Sequence, residues 1–77
     1  MTVAQRLEFA RKKRGFSQRR LAKLADVSGA YVQHVETSRI KSPGNAQIEK
    51  LALALSVGVE WLAFGSGRSP RWGKGAA

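Results

Sequence analysis

The sequence contains no cysteine and only one histidine. Disulfide bonds, thiolate catalysis and cysteine-based zinc sites are therefore excluded, and a single histidine cannot build a metal site alone. No apolar run approaches the roughly 18 residues of a membrane span, and the first residues lack the apolar stretch of a signal peptide. These absences predict a soluble, cytoplasmic protein that is stabilised by packing and needs no metal, cofactor or small-molecule ligand.

Acidic residues are also scarce. Five Asp and Glu accompany fourteen Lys and Arg, which gives a formal net charge of +9. This excess predicts a polyanionic partner, with nucleic acid as the first candidate, although a basic surface can also be a merely solubilising one. Ser, His and Asp occur without the context of a nucleophile or an acid-base pair, so we expect no enzymatic activity.

The 77 residues are enough for one domain, and the spacing of apolar residues predicts an all-α fold without strands. Five helices are expected, over residues 2–14, 18–25, 29–37, 45–56 and 57–64. On the first helix, Arg6, Lys12 and Lys13 are expected to lie opposite the core. The domain should span residues 1–65, and residues 66–77, rich in glycine and cations, should form a flexible basic tail.

Short polar residues precede the predicted helices, where their side chains can accept hydrogen bonds from free backbone N–H groups. The expected N-caps are Thr2, Ser17, Ser28 and Asn45. Gly15 supplies the positive φ angle that commonly ends a helix.

The second and third predicted helices are joined very tightly. Only Asp26 and Val27 remain for the connection, so the two helices must cross steeply. Val32 and Val35 should anchor the third helix by its inner face. Its other face is then left outside, as in a helix-turn-helix.

Three segments carry a resemblance to a known family: KKRGFSQRRLA at 12–22, VSGAYVQHVE at 27–36 and EKLALALSVGVEWLAFG at 49–65. In this order and spacing they resemble the lambda-repressor-like (XRE) family of phage and bacterial regulators, over residues 3–65. The resemblance implies a five-helix DNA-binding domain with the helix-turn-helix at helices 2 and 3. It also implies a sequence-specific transcriptional regulator, a repressor, that binds operator half-sites of double-stranded DNA as a dimer.

The third helix of such a domain enters the major groove. By resemblance, the base-reading positions are Ser28, Gly29, Ala30, Gln33 and His34. A glutamine amide can pair with adenine and an imidazole can donate to guanine, whereas Gly29 and Ala30 can only allow close approach or contact a thymine methyl. The alternative is that Gln33 and His34 are ordinary solvated residues.

The resemblance also implies contacts to the DNA backbone and one internal ion pair. The backbone candidates are Ser17, Gln18, Arg19, Tyr31, Arg39, Lys41 and Asn45. Tyr31 can instead serve packing alone, and Lys41 can be a solvated loop charge. Arg11 and Glu36 match a structural ion pair between the first helix and the end of the third.

Three residues are candidates for a dimer interface, namely Leu53, Val59 and Trp61, with a core position as the preferred alternative for Trp61. The dimer is expected to be weak and can form on DNA. Arg68, Arg71 and Lys74 of the tail can add non-specific DNA contacts or remain free. A second functional hypothesis is an antitoxin or antirepressor, a protein-interaction module on the same fold.

Overall fold

The computed structural model describes residues 1–67 and contains only α-helices in that part of the chain. They are α1 (Val3–Arg14), α2 (Gln18–Ala25), α3 (Gly29–Glu36), α4 (Asn45–Leu55) and α5 (Val59–Phe64). The prediction of an all-α fold with five helices is therefore confirmed. None of these helices is long and apolar enough to cross a membrane. Most of the predicted tail lies outside the described residues.

The first two helices begin as predicted. The Thr2 hydroxyl accepts a hydrogen bond from the Gln5 backbone N–H at 3.2 Å, and the Gln5 side chain accepts one from the Thr2 backbone N–H at 2.9 Å. This reciprocal capping box satisfies two donors that a helix leaves unpaired. The Ser17 hydroxyl likewise accepts from the Arg20 N–H at 3.0 Å at the start of α2.

The later helices begin differently from the prediction. Ser28 occupies the N-cap position of α3, but its side chain makes no capping hydrogen bond. Gly44, and not Asn45, is the N-cap of α4, because Asn45 already has helical conformation. Helix α5 begins at Val59, two residues later than expected, because Gly58 is extended with ψ at 140°.

The core lies between all five helices, and every helix contributes to it. Its buried hydrophobic residues are Leu7, Ala10, Leu21, Ala22, Ala25, Val32, Val35, Ile48, Leu51, Ala52, Leu55, Trp61 and Leu62. Trp61 is only 7% exposed. It therefore belongs to the core and offers almost no surface to a second copy, which corrects its candidacy for a dimer interface.

Arg6 is the clearest departure from the sequence-based expectation. It was expected on the outer face of α1, yet it is only 6% exposed. Its Nε donates to the Leu62 carbonyl and its Nη2 to the Ala63 carbonyl, both at 2.9 Å, and its Nη1 donates to the Met1 carbonyl. The last carbonyls of a helix have no partner within the helix. Arg6 therefore satisfies the C-terminal end of α5 and ties it to the start of the chain.

Gly65 leaves room for this contact. Its φ of +76° is in the left-handed region, and a Cβ atom there would lie 2.8 Å from Arg6 Nη1. A side chain would thus be strained by the backbone and would press on the guanidinium.

Arg14 has a similar role at the neighbouring helix. Its Nε donates to the Leu55 carbonyl at 2.8 Å, at the last residue of α4. Two arginines of α1 thus bind the C-terminal ends of α4 and α5, where the helix dipoles favour positive charge.

Candidate nucleic-acid interface

Helices α2 and α3 form a compact pair whose geometry is fixed by the short connection between them. Asp26 ends α2 in the left-handed conformation, with φ at 58°, as expected of a residue type that tolerates this region. The Val27 N–H then donates to the Ala22 carbonyl at 3.0 Å. Val27 packs against the core, while Val32 and Val35 bury the inner face of α3. The opposite face of α3 is thereby left outside.

The outward side of α3 carries Ala30, Gln33 and His34, and its C-cap Thr37 continues their helical spacing. Gly29, the first residue of the helix, lies beside them. We call Gly29, Ala30, Gln33, His34 and Thr37 the exposed face of α3; His34 is half-buried, and the others are exposed. Positions 30, 33, 34 and 37 follow one another as i, i+3, i+4 and i+7, so their side chains share one side of the helix. The structure thus brings Gln33 and His34 together with the two small residues that precede them.

Packing does not account for the bare first turn of this face. A Cβ atom built on Gly29 would meet nothing within 4 Å, and its φ is not positive. Neither a neighbouring group nor the backbone conformation therefore requires glycine at this position. The space in front of Gly29 is open to an external molecule.

The second turn of α3 borders an open pocket of about 420 Å3. Its walls are formed by Gln33, His34, Thr37 and Arg39. Two predicted base-reading residues thus share a pocket with one predicted backbone-contacting residue.

A network of charged and amide groups joins α1, α2 and the end of α3. Arg11 Nε donates to Glu36 Oε2 at 2.7 Å and Arg11 Nη2 to Glu36 Oε1 at 3.1 Å, a bidentate pair. Gln18 Nε2 donates to the same Oε1 at 3.0 Å, and Arg11 Nη1 donates to the Phe16 carbonyl at 2.9 Å. The Glu36 side chain is only 5% exposed. The network therefore fixes the exposed face of α3 relative to the start of α2.

Gln18 has an internal partner that the sequence did not indicate. It was expected to contact the DNA backbone, and the structure directs its amide to Glu36. Its Oε1 atom and its second amide hydrogen have no protein partner among the described residues. Ser17 similarly uses its hydroxyl to cap α2, and it borders an open pocket with Arg14 and Arg20.

The remaining backbone candidates lie on other parts of the surface. Lys41 and Asn45 are exposed and border a groove with Val3 and Phe64, separate from the pocket beside α3. Tyr31 is half-buried. The pKa of its hydroxyl is raised, because the effect of burial exceeds the opposing effect of a hydrogen bond with the Gly44 backbone. Tyr31 thus links α3 to the start of α4.

The basic residues divide into those used internally and those left available. Lys12 pairs with Glu8 at 3.0 Å, and Lys50 lies 4.0 Å from Asp26. Within residues 1–67, no ion pair engages the exposed cations Arg19, Arg20, Lys23, Arg39 and Lys41. In the same part of the chain, no group of three potential metal ligands is close enough to hold an ion.

The apolar surface contains two of the predicted interface residues. Leu53 is 82% exposed on α4, and Val59 is exposed at the start of α5. Sequence reasoning did not single out Leu24 as an exposed apolar residue, although the structure leaves about half of it accessible.

A model of a helix-turn-helix family matches residues 7–62, which include α2, α3 and the turn between them. The chain belongs to this helix-turn-helix family. The match confirms the resemblance inferred from the three sequence segments. A solved structure, the N-terminal DNA-binding domain of SinR from Bacillus subtilis, is similar with a TM-score of 0.77 and 28% sequence identity. The similarity covers 88% of this chain and 96% of that domain.

Proposed function

We propose that this helix-turn-helix protein is a transcriptional repressor that binds the two half-sites of a double-stranded DNA operator as a dimer. Family membership and the likeness to the SinR domain support the coarser statement that it is a DNA-binding transcription regulator. The observation that carries the proposal is the exposed face of α3, which the packing of α2 and α3 leaves outside. The protein would act in the cytoplasm, on nucleoid DNA.

In this function α3 lies in the major groove. Gly29 and Ala30, beside Ser28, allow the backbone of the first turn to approach the base edges. Gln33 pairs through its amide with adenine N6 and N7, and His34 donates to guanine N7 or O6. Direct base reading thus depends on the second turn of the helix, and DNA shape adds to it.

In this proposal, residues on either side of α3 bind the DNA backbone. Ser17 and Gln18 place the start of α2 near a phosphate, where its free N–H groups can donate. Arg19 is exposed beside them without an ion-pair partner among the described residues. Tyr31, Lys41 and Asn45 contact phosphates on the other side of α3.

Dimerisation places two α3 helices about 34 Å apart, one turn of DNA. Leu53 and Val59 form the interface; both are apolar and exposed, and they lie on α4 and α5 rather than on the two helices of the helix-turn-helix. Leu53→Ser should abolish cooperative binding to a two-half-site operator, whereas Leu24→Ser, a matched change on α2, should not. Sedimentation with and without DNA measures the assembly. A tight dimer without DNA would contradict a dimer that forms only on the operator.

Selection of bound sequences from random DNA tests the proposal directly. Gln33→Ala and His34→Ala should each change the selected motif at one position. Uniform weakening of all sequences would instead make these residues phosphate contacts. The affinity should fall steeply with salt, because each neutralised phosphate releases counterions. A nearly flat response to salt would contradict DNA binding altogether.

One observation favours the second candidate, an antitoxin or antirepressor that binds another protein. Phe64 is 77% exposed and borders a groove of about 310 Å3 with Val3, Ile48 and Ala63. Exposed apolar surface of this kind marks protein contacts. The random-DNA selection would then yield no preferred sequence. A protein partner that binds the wild type and no longer binds Phe64→Ser would support this function.

A further inference from the structure

The chain leaves α3 in a tight turn, and this turn fixes the position of Arg39. Ser38 adopts a left-handed conformation with φ at 65°. The backbone N–H groups of Arg39 and Ile40 then both donate to the His34 carbonyl, at 2.8 and 3.0 Å. Ile40 packs against the core. Arg39 therefore extends from a backbone segment that is fixed by these hydrogen bonds and by the packing of Ile40. It lies next to the last turn of α3.

The pocket beside α3 offers more hydrogen-bond donors than acceptors to an external molecule. The Thr37 hydroxyl donates to the Gln33 carbonyl at 2.9 Å, so it is already used by the backbone. The side chains of Gln33, His34 and Arg39 make no hydrogen bond or ion pair with any other residue of the described chain. No carboxylate lines the pocket. Its available groups are thus mainly donors, and the guanidinium contributes five N–H groups without any acceptor.

A pocket in which donors predominate suits an occupant with paired acceptors. In the major groove, guanine presents two acceptors, N7 and O6, whereas adenine presents one acceptor and one donor. The planar fork of arginine matches the two guanine acceptors. We propose that Arg39 is a further specificity-determining residue, which donates to N7 and O6 of a guanine next to the bases read by Gln33 and His34. This inference rests on the proposed DNA-binding function.

A phosphate contact is the other chemistry open to Arg39, and the structure favours the base. Arg39 shares the walls of its pocket with Gln33 and His34, the two polar residues of the exposed face whose side chains are unused. Lys41, the second cation of the same loop, borders two other grooves, one with Thr2 and Val3 and one with Asn45 and Phe64. The loop thus directs its two cations to different surfaces. Lys41 serves as the phosphate contact and as the matched control.

The test compares four proteins, the wild type, Arg39→Ala, Arg39→Lys and Lys41→Ala. Each is used in selection from random DNA and in affinity measurements on the selected operator. Arg39→Ala should lose about tenfold in discrimination for guanine at one position. Arg39→Lys should keep the affinity for non-specific DNA and lose most of this discrimination, since an ammonium lacks the bidentate fork. Lys41→Ala should weaken all sequences equally and reduce the salt slope by about one unit.

A second arm replaces each operator guanine by 7-deazaguanine, which lacks the N7 acceptor. At one position this replacement should weaken DNA binding by the wild type and leave binding by Arg39→Ala unaffected. Such a result would show that the Arg39 side chain and the guanine N7 interact. Thermal unfolding checks that all variants are folded. Equal weakening of every sequence by Arg39→Ala would overturn the inference and leave the proposed function intact. Absence of salt-dependent DNA binding by the wild type would instead refute the proposed function.

Discussion

Replacing Arg6 by methionine should lower the stability of the fold without impairing the DNA-binding face. Methionine has a similar length and fills the same space, so the change removes the donors and leaves little cavity. Three backbone carbonyls lose their partner, those of Met1, Leu62 and Ala63. Leaving a buried acceptor unpaired costs about 1–3 kcal/mol.

The expected decrease in the free energy of unfolding is smaller than the sum of three such penalties. The end of α5 is close to the surface, because Ala63 is half-buried and Phe64 is exposed, so water can replace part of the lost hydrogen bonding. The native state also no longer has to desolvate the guanidinium. We expect the free energy of unfolding to fall by about 2 kcal/mol, which lowers the Tm of a domain of this size by about 10 °C.

Circular dichroism during thermal and denaturant unfolding measures this change. Lys12→Met is the control on the same helix, since Lys12 is exposed and its pair with Glu8 is a surface pair, worth about 0.5 kcal/mol. Unchanged stability of Arg6→Met would refute the reasoning that Arg6 holds the end of α5. A loss of DNA affinity at a temperature where the variant is fully folded would show instead that Arg6 acts on the binding surface.

Three further predictions concern the helix-turn-helix. Glu36→Ala leaves Arg11 without its carboxylate and should lower the free energy of unfolding by about 3 kcal/mol; an unchanged melting temperature would show that the network does not stabilise α3. Asp26→Val should cost about 1–2 kcal/mol in denaturant unfolding because of its left-handed backbone, while Asp26→Gly should cost nothing, and equal effects would contradict this cause. Gly29→Ala should leave the fold as stable or raise its stability by up to about 1 kcal/mol, yet weaken operator binding about tenfold. Full affinity in a gel-shift assay would mean that DNA does not approach this turn closely.

The sequence predicted the features that depend on local patterns. The spacing of apolar residues predicted the five helices, Val32 and Val35 identified the buried face of α3, and Thr2 and Ser17 identified two helix starts. Each of these signals lies within a few residues of the chain. For Trp61 the sequence favoured the core over an interface without deciding between them, since an aromatic residue is suited to either.

Contacts between segments that are distant in the sequence could not be predicted from such local patterns. Arg6 binds carbonyls 56 and 57 residues away, and an arginine on a basic helix resembles any solvated charge until the packing of α5 on α1 is known. The same holds for Gln18, whose partner Glu36 lies 18 residues further along. The position of Arg39 depends on the tight turn at Ser38, where no glycine or asparagine marked a left-handed residue in advance.

The arginines of α1 have a consequence for genetics. A screen for variants that lose regulation would recover changes at Arg6, Arg11 and Arg14 alongside changes at Arg19 or Arg39, because loss of the fold and loss of a DNA contact both abolish regulation. The first group would fail through low abundance in the cell, since poorly folded chains are degraded. Overproduction or growth at a lower temperature should rescue that group alone. A map of DNA-contacting residues drawn from loss of charge alone would therefore include arginines that hold the fold together.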